Sequence, residues 1–275
     1  MVHYLTPREV LLQPQEELEG TYRAEKDKHV YRFVPLSSLL QANEHRDELF
    51  LQRVDSWNDP FEKKALKAKY KSLDGKSFVH PLANSVYGTC LTECYNNEAQ
   101  WQYYGKDKGE PIVSLAFKLP RLLDALEAVD DQCFFVGKVD YFLQENIFKA
   151  IALHVNQHIA TFMKGKDADF SPQEYAELLK PLLIKRLPFS YEREIRIMKV
   201  DRCGLRNIHV PIGSFLHLIE KITMPPIAPS EDKSKNEVIK SKLTSAGWEA
   251  CRISQSNLYY EPNNSVIEIK KYVEK

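Results

Sequence analysis

The sequence has few cysteines, and their spacing excludes two common uses of this residue. There are five, an odd number, and no two form a C-x-x-C pair. Disulfide frameworks of small secreted proteins use even numbers of cysteines, and zinc ribbons use C-x-x-C pairs. We therefore expect reduced structural thiols of a cytoplasmic protein. The five residues are Cys90, Cys94, Cys133, Cys203 and Cys251.

Net charge and long apolar runs are also missing. Lysine and arginine number 38, and so do aspartate and glutamate. No global field therefore attracts the chain to nucleic acid or to an anionic membrane. Nowhere do about 18 apolar residues run together, and the first ten residues do not have the charged and then apolar pattern of a signal peptide. These absences predict a cytoplasmic protein that does not interact with membranes.

Several catalytic motifs are missing as well. The sequence contains no P-loop, no G-x-G-x-x-G and no G-x-S-x-G, so nucleotide hydrolysis, dinucleotide folds and α/β-hydrolase chemistry lose their main support. His154 and His158 have the i, i+4 spacing that lets two imidazoles share a metal, but no H-E-x-x-H motif accompanies them. The sequence favours solvent-facing histidines here and predicts no metal site.

The composition is that of a folded protein. With 275 residues and a hydrophobic fraction of 43%, the chain can bury a sizeable core. We expect a single domain over residues 1–275, in which the polar residues 1–28 form a loosely packed lead-in. Strand and helix signals mix without regular βαβ alternation, which predicts an α+β fold with mixed, mostly antiparallel sheets flanked by helices.

The element boundaries follow from local patterns. β-branched and alternating segments predict strands at residues 29–34, 48–54, 85–91, 111–117, 132–141, 191–200, 208–212, 216–223, 250–253 and 266–272. Helical periodicity and terminal signals predict helices at residues 36–42, 62–72, 96–104, 121–128, 144–164, 172–187 and 231–245. A capping box, Ser171-Pro172-Gln173-Glu174, marks the start of the helix at 172.

Candidate chemistry lies in three separated polar and aromatic segments. The first combines residues 30–33 with 57–62, where Asn58-Asp59-Pro60 stands at a predicted strand-to-helix corner. The second is 96–104, and the third is 191–196. In the first segment, Asn58 and Asp59 have a structural alternative, since both residues commonly satisfy the backbone of a turn.

A carboxylate pair distinguishes the third segment. On an extended strand, Glu192, Glu194 and Arg196 project from one face, with the two glutamates about 6–7 Å apart at Cα. Repulsion between such carboxylates raises the pKa of one of them unless the guanidinium relieves it. The alternative is a solvated edge strand with a weak surface ion pair.

The second segment combines amides with aromatic rings. It contains two Asn, two Gln and three aromatic residues. Such a helix could stack on a planar ring and hydrogen-bond its edges, as a nucleotide or nicotinamide site requires. Alternatively, Trp101 and Tyr104 at i, i+3 pack inward together as core residues.

Taken together, these motifs resemble a bacterial family catalogued as domain of unknown function 2971. The resemblance spans about residues 30–260 and departs from the family at Trp57, where Phe is usual, and in Gln-Trp-Gln-Tyr-Tyr, where Met-Trp-x-x-Tyr is usual. The segments that carry it are Val-Tyr-Arg-Phe at 30–33, Asp-Ser-Trp-Asn-Asp-Pro-Phe-Glu at 55–62, Cys-Leu-Thr-Glu at 90–93 with residues 97–101 and Tyr104, Val-Asp-Tyr at 139–141 and Tyr-Glu-Arg-Glu-Ile-Arg at 191–196.

More distantly, the order of parts is similar to that of ADP-ribosyltransferases. That resemblance implies a split-sheet core and NAD as co-substrate. It implies that Arg32 on the first strand holds ribose and phosphates, that Tyr103 or Tyr104 packs on nicotinamide, and that a late glutamate binds the ribose hydroxyl. The chain has no Ser-Thr-Ser triplet, and either Glu194 or Glu192 can take the last role. The implied catalytic residues are Glu194, Glu192, Arg32 and Tyr104; the implied NAD-binding residues are Tyr31, Arg32, Asn58, Asp59, Trp101, Tyr103 and Arg196.

Three functions remain as hypotheses. The first is an ADP-ribosyltransferase that modifies a protein or nucleic acid, as a toxin or antiphage effector with a cognate antitoxin. The second is a non-catalytic ligand-sensing or protein-interaction domain, in which Asn58, Asp59, Glu192 and Arg196 pair with one another and leave no cleft. The third is a metal-dependent nuclease or hydrolase whose oxygen ligands are Asp59, Glu62, Glu192 and Glu194.

Overall fold

A central mixed sheet with helices on its faces organises the protein. The computed structural model describes residues 1–5, 28–41, 47–106, 109–130, 133–213, 215–228, 232 and 234–260. The strands are β1 (Val2–Leu5), β2 (His29–Pro35), β3 (Glu48–Arg53), β4 (Lys69–Lys71), β5 (Ser77–Val79), β6 (Val86–Thr92), β7 (Ile112–Lys118), β8 (Phe134–Lys138), β9 (Asp140–Phe142), β10 (Ile184–Arg186), β11 (Glu194–Val200), β12 (Asn207–Pro211), β13 (Ile219–Met224) and β14 (Ile253–Gln255).

The α-helices are short, and five of those described have eight or more residues. They are α1 (Leu36–Gln41), α2 (Lys64–Lys67), α3 (Glu98–Lys106), α4 (Leu119–Glu127), α5 (Gln144–Gln157), α6 (Ile159–Phe162), α7 (Pro172–Leu179), α8 (Phe215–Leu218) and α9 (Ser234–Ser245). Among the described residues, no helix is both long and apolar enough to cross a membrane.

The large sheet forks at β6. Its main path runs β1-β8-β11-β6-β2-β7-β13-β14, and β3, which carries β12, joins β6 as a branch. Within the described residues the pairings in this sheet are antiparallel except β1 with β8 and β13 with β14. The mixed, mostly antiparallel α+β fold predicted from the sequence is therefore confirmed.

The fork opens a gap in the hydrogen-bond ladder. Strand β2 pairs with β6 at Tyr31 and Thr92, whereas β3 pairs with β6 at Gly88 and Tyr87. In the described ladder, residues 89–91 between these two pairings have partners on the β11 side alone. Peptide groups of an open strand edge need another partner. The sheet thus provides a polar floor where β2 and β3 diverge.

Two apolar clusters cover the two faces of the sheet. Along β11, Ile195 and Ile197 belong to a cluster shared with α1, α4 and α9, while Met198 belongs to a second cluster shared with α5, α6 and α7. This alternation follows from the two-residue period of a strand. Glu194 and Arg196 share the parity of Met198, so both polar residues project on the side of the second cluster.

Helix α7 begins as the sequence predicts. Ser171 accepts a hydrogen bond from the amide of Glu174 at 3.3 Å, and the Glu174 carboxylate accepts one from the amide of Ser171 at 3.0 Å. Pro172 occupies the first turn, where its missing N–H is not needed. The capping box is therefore confirmed.

Removing the Ser171 hydroxyl should cost stability because the Glu174 amide loses its acceptor. We expect Ser171→Ala to lower the free energy of unfolding by about 1 kcal/mol, as measured by urea denaturation. Ser171→Asp keeps an acceptor oxygen at the same place and should retain most of the stability. Equal stabilities of the alanine and aspartate variants would show that the cap contributes nothing measurable.

The predicted helices at 144–164 and 172–187 are wrong in length. The first is divided at His158, whose φ of −118° and ψ of 27° are not helical, so α5 ends at Gln157 and α6 is a separate turn. The second ends at Leu179 and passes through a 3-10 turn, Lys180–Leu183, into β10. Pro181 lies in that turn, and proline cannot supply the amide that a continuing helix requires.

Other boundaries differ because tertiary pairing overrides local propensity. The predicted helix at 62–72 shortens to α2, and the hairpin β4–β5 follows it, with Gly75 at a φ of 85° in the turn. The first part of the predicted strand at 216–223 is helix α8. The helix predicted at 231–245 begins at Ser234. A 3-10 turn, Ala250–Arg252, replaces the start of the strand predicted at 250–253. Strand β1 lies within residues 1–28, which were predicted to be a loosely packed lead-in. The strand predicted at 266–272 lies outside the described residues.

Candidate functional site

A cleft of about 770 Å³ lies at the fork of the sheet. Its floor is the open edge of β6, and its walls come from β2, β3, α3, β10 and the start of β11. This volume is within the range of about 300–1,000 Å³ that ligand sites of proteins occupy. The three polar and aromatic segments singled out in the sequence meet in this cleft.

Most of the predicted site residues line the cleft. Those in its lining are Tyr31, Arg32, Asn58, Asp59, Tyr103, Tyr104, Glu192 and Glu194. Trp101 is buried behind Phe33, with ring centroids 4.8 Å apart, and Arg196 is fully buried behind the cleft wall. Trp101 and Arg196 therefore support the cleft rather than line it.

A buried ionic cluster of Glu62, Glu192, Glu194, Lys185 and Arg196 forms one wall. Arg196 binds both oxygens of Glu194, with Nε to Oε1 at 3.0 Å and Nη2 to Oε2 at 3.0 Å. Its Nη2 also donates to Glu62 at 2.9 Å, and its Nη1 donates to the carbonyl of Leu182. Two bonds to one carboxylate fix both its position and its orientation.

Lys185 connects the three carboxylates of the ionic cluster. Its Nζ lies 2.5 Å from Glu192, 2.8 Å from Glu62 and 3.1 Å from Glu194. The sequence did not suggest this residue, because residues 172–187 have the pattern of one helix. The structure instead places Lys185 in the middle of β10, between a buried Ile184 and Arg186.

The predicted single strand at 191–200 is wrong at its start. Glu192 ends a 3-10 turn, Leu187–Glu192, and Arg193 has a left-handed backbone with a φ of 42° and a ψ of 57°, so β11 starts at Glu194. Glu192 and Glu194 therefore do not share the face of one strand. They meet through Lys185, which both bind.

Two further contacts fix the beginning of β11. The amide of Glu194 donates to the hydroxyl of Tyr141 at 2.9 Å. The hydroxyl of Thr92, opposite Glu194 in the ladder, donates to the carbonyl of Glu192 and accepts from the amide of Cys94 at 2.9 Å. The left-handed turn at Arg193 is thus held from both sides.

The two glutamates have opposite pKa shifts. Burial alone would raise the pKa of Glu194, but the charges of Arg196 and Lys185 lower it to about 2. Burial raises the pKa of Glu192, and the charge of Lys185 only partly opposes this. The two neighbouring carboxyls therefore differ in how readily they bind a proton, Glu192 more readily than Glu194.

Arg32 lies in the cleft without an acidic partner. Among the described residues no hydrogen bond or ion pair engages its guanidinium. Burial lowers the pKa of Arg32, and the nearby Cys90 and Tyr104 oppose that shift. Two neutral polar atoms in the lining lack partners as well. The Gln100 Oε1 and Thr89 Oγ1 atoms are buried and make no hydrogen bond within the described part of the chain. Such groups are costly unless a ligand or water satisfies them.

The aromatic residues of helix α3 have two different roles, since one is part of the core and two line the cleft. Trp101 packs as core, and its indole N–H donates to Asn96 at 3.0 Å. Tyr103 and Tyr104 are 46% and 40% exposed and line the cleft. Tyr104 also stacks on Phe33, with ring centroids 6.1 Å apart. One face of α3 therefore anchors the helix, and another presents rings to the cleft.

At the Asn-Asp-Pro corner, Asp59 satisfies the backbone of the turn, which is the structural alternative given by the sequence. Its Oδ1 accepts from the amide of Phe61 at 2.9 Å and from Nη2 of Arg186 at 3.1 Å. Asn58 is exposed at the rim. The pairing expected for a binding module, in which Asn58, Asp59, Glu192 and Arg196 bind one another without a cleft, is not observed.

The carboxylates of the ionic cluster are not arranged as metal ligands. Lys185 and Arg196 occupy the space between Glu62, Glu192 and Glu194. Within the described residues, the one group of His, Cys, Asp and Glu with the spacing of a metal site is His154, His158 and Glu177, which lies outside the cleft lining. The geometry of the cleft therefore gives no support to a metal-dependent hydrolase that uses these carboxylates.

Comparison with solved structures finds a distant likeness. The structure of Thermus sp. 2.9 DarT in complex with NAD+ is 13% identical, covers 86% of this chain and 98% of that chain, and has a TM-score of 0.38. DarT in complex with ADP-ribosylated ssDNA is 13% identical, with coverages of 85% and 97% and a TM-score of 0.37. DarT in complex with carba-NAD+ is 12% identical, with coverages of 86% and 99% and a TM-score of 0.36.

Sequence comparisons add nothing to this likeness. No protein-family model matches the chain, and no curated protein matches it. The resemblance to domain of unknown function 2971 therefore stays a prediction. What the protein does has to be inferred from the residues of the cleft.

Proposed function

We propose that this protein is an ADP-ribosyltransferase that cleaves NAD+ and transfers ADP-ribose to a protein or nucleic acid. The observation that carries the proposal is that one cleft contains both a rigidly held, ionised Glu194 and an Arg32 that has no ion-pair partner among the described residues. A cation without a partner suits an anionic ligand, and a fixed carboxylate suits a reaction that develops positive charge. Both are needed for NAD+ cleavage.

Glu194 supplies the electrostatic part of the proposed reaction. Departure of nicotinamide leaves an oxocarbenium-like ribose, and a nearby negative charge lowers the barrier to that departure. The carboxylate does not need to reorient during the reaction, because Arg196 holds both its oxygens and Lys185 holds one of them. Its pKa of about 2 keeps it ionised at neutral pH.

Glu192 is suited to the second half of the reaction. Its raised pKa makes it a better base than Glu194, so it can accept the proton of an attacking hydroxyl or amine. Glu192 also lines the cleft, where an acceptor could reach it. The two carboxylates would thus have separate roles: Glu194 stabilises the positive charge that develops on the ribose, and Glu192 activates the acceptor.

The remaining lining residues are suited to bind the dinucleotide. Arg32 offers two parallel N–H donors to a phosphate. The exposed rings of Tyr103 and Tyr104 offer a stacking surface to nicotinamide. The unpaired Gln100 Oε1 is an acceptor for a ligand N–H or O–H, and the Thr89 hydroxyl can donate or accept.

The proposal is tested by incubating the purified protein with labelled NAD+, alone and with cell lysate, single-stranded DNA or RNA. We expect nicotinamide release in each case, and label transfer with the correct acceptor. Arg32→Gln should raise KM for NAD+ by about 10- to 100-fold, because a charge-assisted hydrogen bond contributes about 1.5–3 kcal/mol. Initial rates at varied NAD+ concentration measure this change.

Arg121→Gln is the matched control for Arg32→Gln. Arg121 is exposed and contacts Glu220 at 3.4 Å, outside the cleft lining, so this variant should keep the wild-type KM. Absence of NAD+ cleavage by the folded wild-type protein with every acceptor would contradict the transferase proposal. Binding of NAD+ without cleavage would favour the alternative of a ligand-sensing domain.

A further inference from the structure

Two histidines and a glutamate meet on the helical layer, away from the residues that line the cleft. His154 lies on α5, His158 lies at the junction of α5 and α6, and Glu177 lies on α7. All three side chains are largely shielded, with exposures of 16%, 22% and 23%. The sequence favoured solvent-facing histidines, but here both face a carboxylate from another helix.

The spacing of the three side chains is that of a metal-ligand set. Oε2 of Glu177 lies 3.1 Å from Nε2 of His158 and 3.6 Å from Nε2 of His154, and the three ligand atoms lie within 4.8 Å of one another. Tetrahedral zinc with bonds of about 2.0–2.1 Å places neighbouring ligand atoms about 3.3–3.4 Å apart. The distances from Glu177 Oε2 to the two imidazole nitrogens, 3.1 Å and 3.6 Å, lie just below and just above this range.

Hydrogen bonding does not account for the Glu177 oxygen that faces the histidines. Lys180 holds the other oxygen, Oε1, at 2.7 Å, which directs Oε2 toward the two imidazoles. Oε2 is buried and makes no hydrogen bond of acceptable geometry to any residue that the structure describes, even though His158 is 3.1 Å away. A buried carboxylate oxygen in this position needs a cation or a donor.

We propose that His154, His158 and Glu177 form a binding site for a divalent transition metal of the zinc type. Two imidazoles and one carboxylate are a ligand set that zinc accepts, with water as the fourth ligand. The metal would tie α5, α6 and α7 together at the place where the long predicted helix is divided. The site would therefore stabilise the helical layer.

One existing hydrogen bond limits the affinity of this site. Nε2 of His154 lies 2.8 Å from the carbonyl of Glu177, and a metal bound to this nitrogen replaces its proton and that hydrogen bond. We therefore expect weaker binding than at structural sites with four protein ligands. In a neutral His154 the proton of this nitrogen moves to Nδ1 when the metal binds, whereas a protonated imidazole releases one proton, so the affinity falls as the pH is lowered.

Isothermal titration of the full chain with Zn²⁺, after chelator treatment and dialysis, tests the proposal. We expect one Zn²⁺ per chain and a higher thermal unfolding temperature in its presence. His158→Gln and Glu177→Gln should each weaken binding by at least about tenfold, since each removes one of three protein ligands. Co²⁺ as a second probe should give the visible absorption of tetrahedral coordination, reduced in both variants.

The control is His209→Gln. His209 is a histidine outside the cluster that contacts Glu48 at 3.3 Å, and its replacement should leave the Zn²⁺ affinity unchanged. No binding of Zn²⁺ would overturn the site, as would equal affinity in the wild type, His158→Gln and Glu177→Gln. Binding that survives both variants and disappears when the exposed Cys133, Cys203 and Cys251 are alkylated would assign the metal to thiols instead.

Discussion

Replacing Glu194 by Gln should reduce kcat for nicotinamide release by about 100- to 1,000-fold, with a much smaller change in KM. The amide keeps the size of the side chain and removes the charge that stabilises the developing positive charge on the ribose. An interaction made mainly in the transition state acts on kcat and leaves ground-state binding nearly unchanged. Release of labelled nicotinamide at saturating NAD+ measures the effect.

Glu192→Gln should separate the two halves of the reaction. If Glu192 accepts the proton of the acceptor nucleophile, its replacement lowers label transfer by about 100-fold while cleavage of NAD+ by water persists. The assignment rests on the opposite pKa shifts of the two carboxyls. Equal losses of transfer and of nicotinamide release in both variants would remove this division of roles.

Glu62→Gln is the matched control for damage to the ionic cluster. Glu62 binds the same two cations, Lys185 at 2.8 Å and Arg196 at 2.9 Å, so its replacement disturbs the cluster to a similar extent. It leaves the bidentate pair of Arg196 with Glu194 in place. We expect less than a tenfold loss of kcat, about 1.4 kcal/mol or less in the barrier. A loss as large as that of Glu194→Gln would indicate that the cluster is needed only for structure.

Local patterns were sufficient for the segments of the site but not for their assembly. Glu194 stands out in the sequence through its spacing from Glu192 and Arg196, and Arg32 through the resemblance to ADP-ribosyltransferases. That they meet depends on the fork at β6, where β2 and β3 pair with opposite ends of one strand. Strand order is a property of long-range pairing, which periodicity along the chain does not encode.

Lys185 shows why part of the site was missed. The capping box at Ser171 and the helix-forming residues after it predict one helix to residue 187. In such a helix, Lys185 would resemble any other lysine on the surface. Pro181 ends the helical geometry, and pairing of β10 with β9 then extends the chain at Lys185. Pro181 inside the predicted helix was the available signal in the sequence, and the tertiary pairing decided the outcome.

The contact between Glu192 and Glu194 was predicted for the wrong reason. A continuous strand would place both on one face at a spacing set by the backbone. The left-handed turn at Arg193 instead separates Glu192 from the strand, and a shared bond to Lys185 brings the carboxylates together. The turn also gives the two carboxyls different surroundings, and these surroundings shift their pKa values in opposite directions.

Arg196→Met should cause the largest loss of stability, about 3–5 kcal/mol in the free energy of unfolding. Methionine replaces only the aliphatic part of the arginine side chain and leaves Glu62 and Glu194 buried without their guanidinium partner, and removing one partner of a buried ion pair costs this much. The substitution also removes the packing of Arg196 over Trp57, 4.6 Å from guanidinium to ring. Urea denaturation at pH 7 measures the loss.

Arg193→Met is the control for Arg196→Met. The side chain of Arg193 is 64% exposed, and its contact with Glu93 is 3.5 Å long, so we expect a loss below about 1 kcal/mol. A comparable loss in the two variants would mean that burial of the ion pairs does not determine their contribution.

The pH dependence of the Arg196→Met effect follows from the pKa of Glu194. In the wild-type protein this pKa is about 2, below the ordinary glutamate value of 4.5, so Glu194 contributes stability that is complete above about pH 4.5 and is lost as the pH falls toward 2. Without Arg196, burial raises the pKa of Glu194, so protonation in mild acid relieves the variant. The stability difference between wild type and variant should therefore be smaller at pH 4 than at pH 7. A difference that stays constant over this interval would show that lost packing, rather than an unpaired carboxylate, is what destabilises the variant.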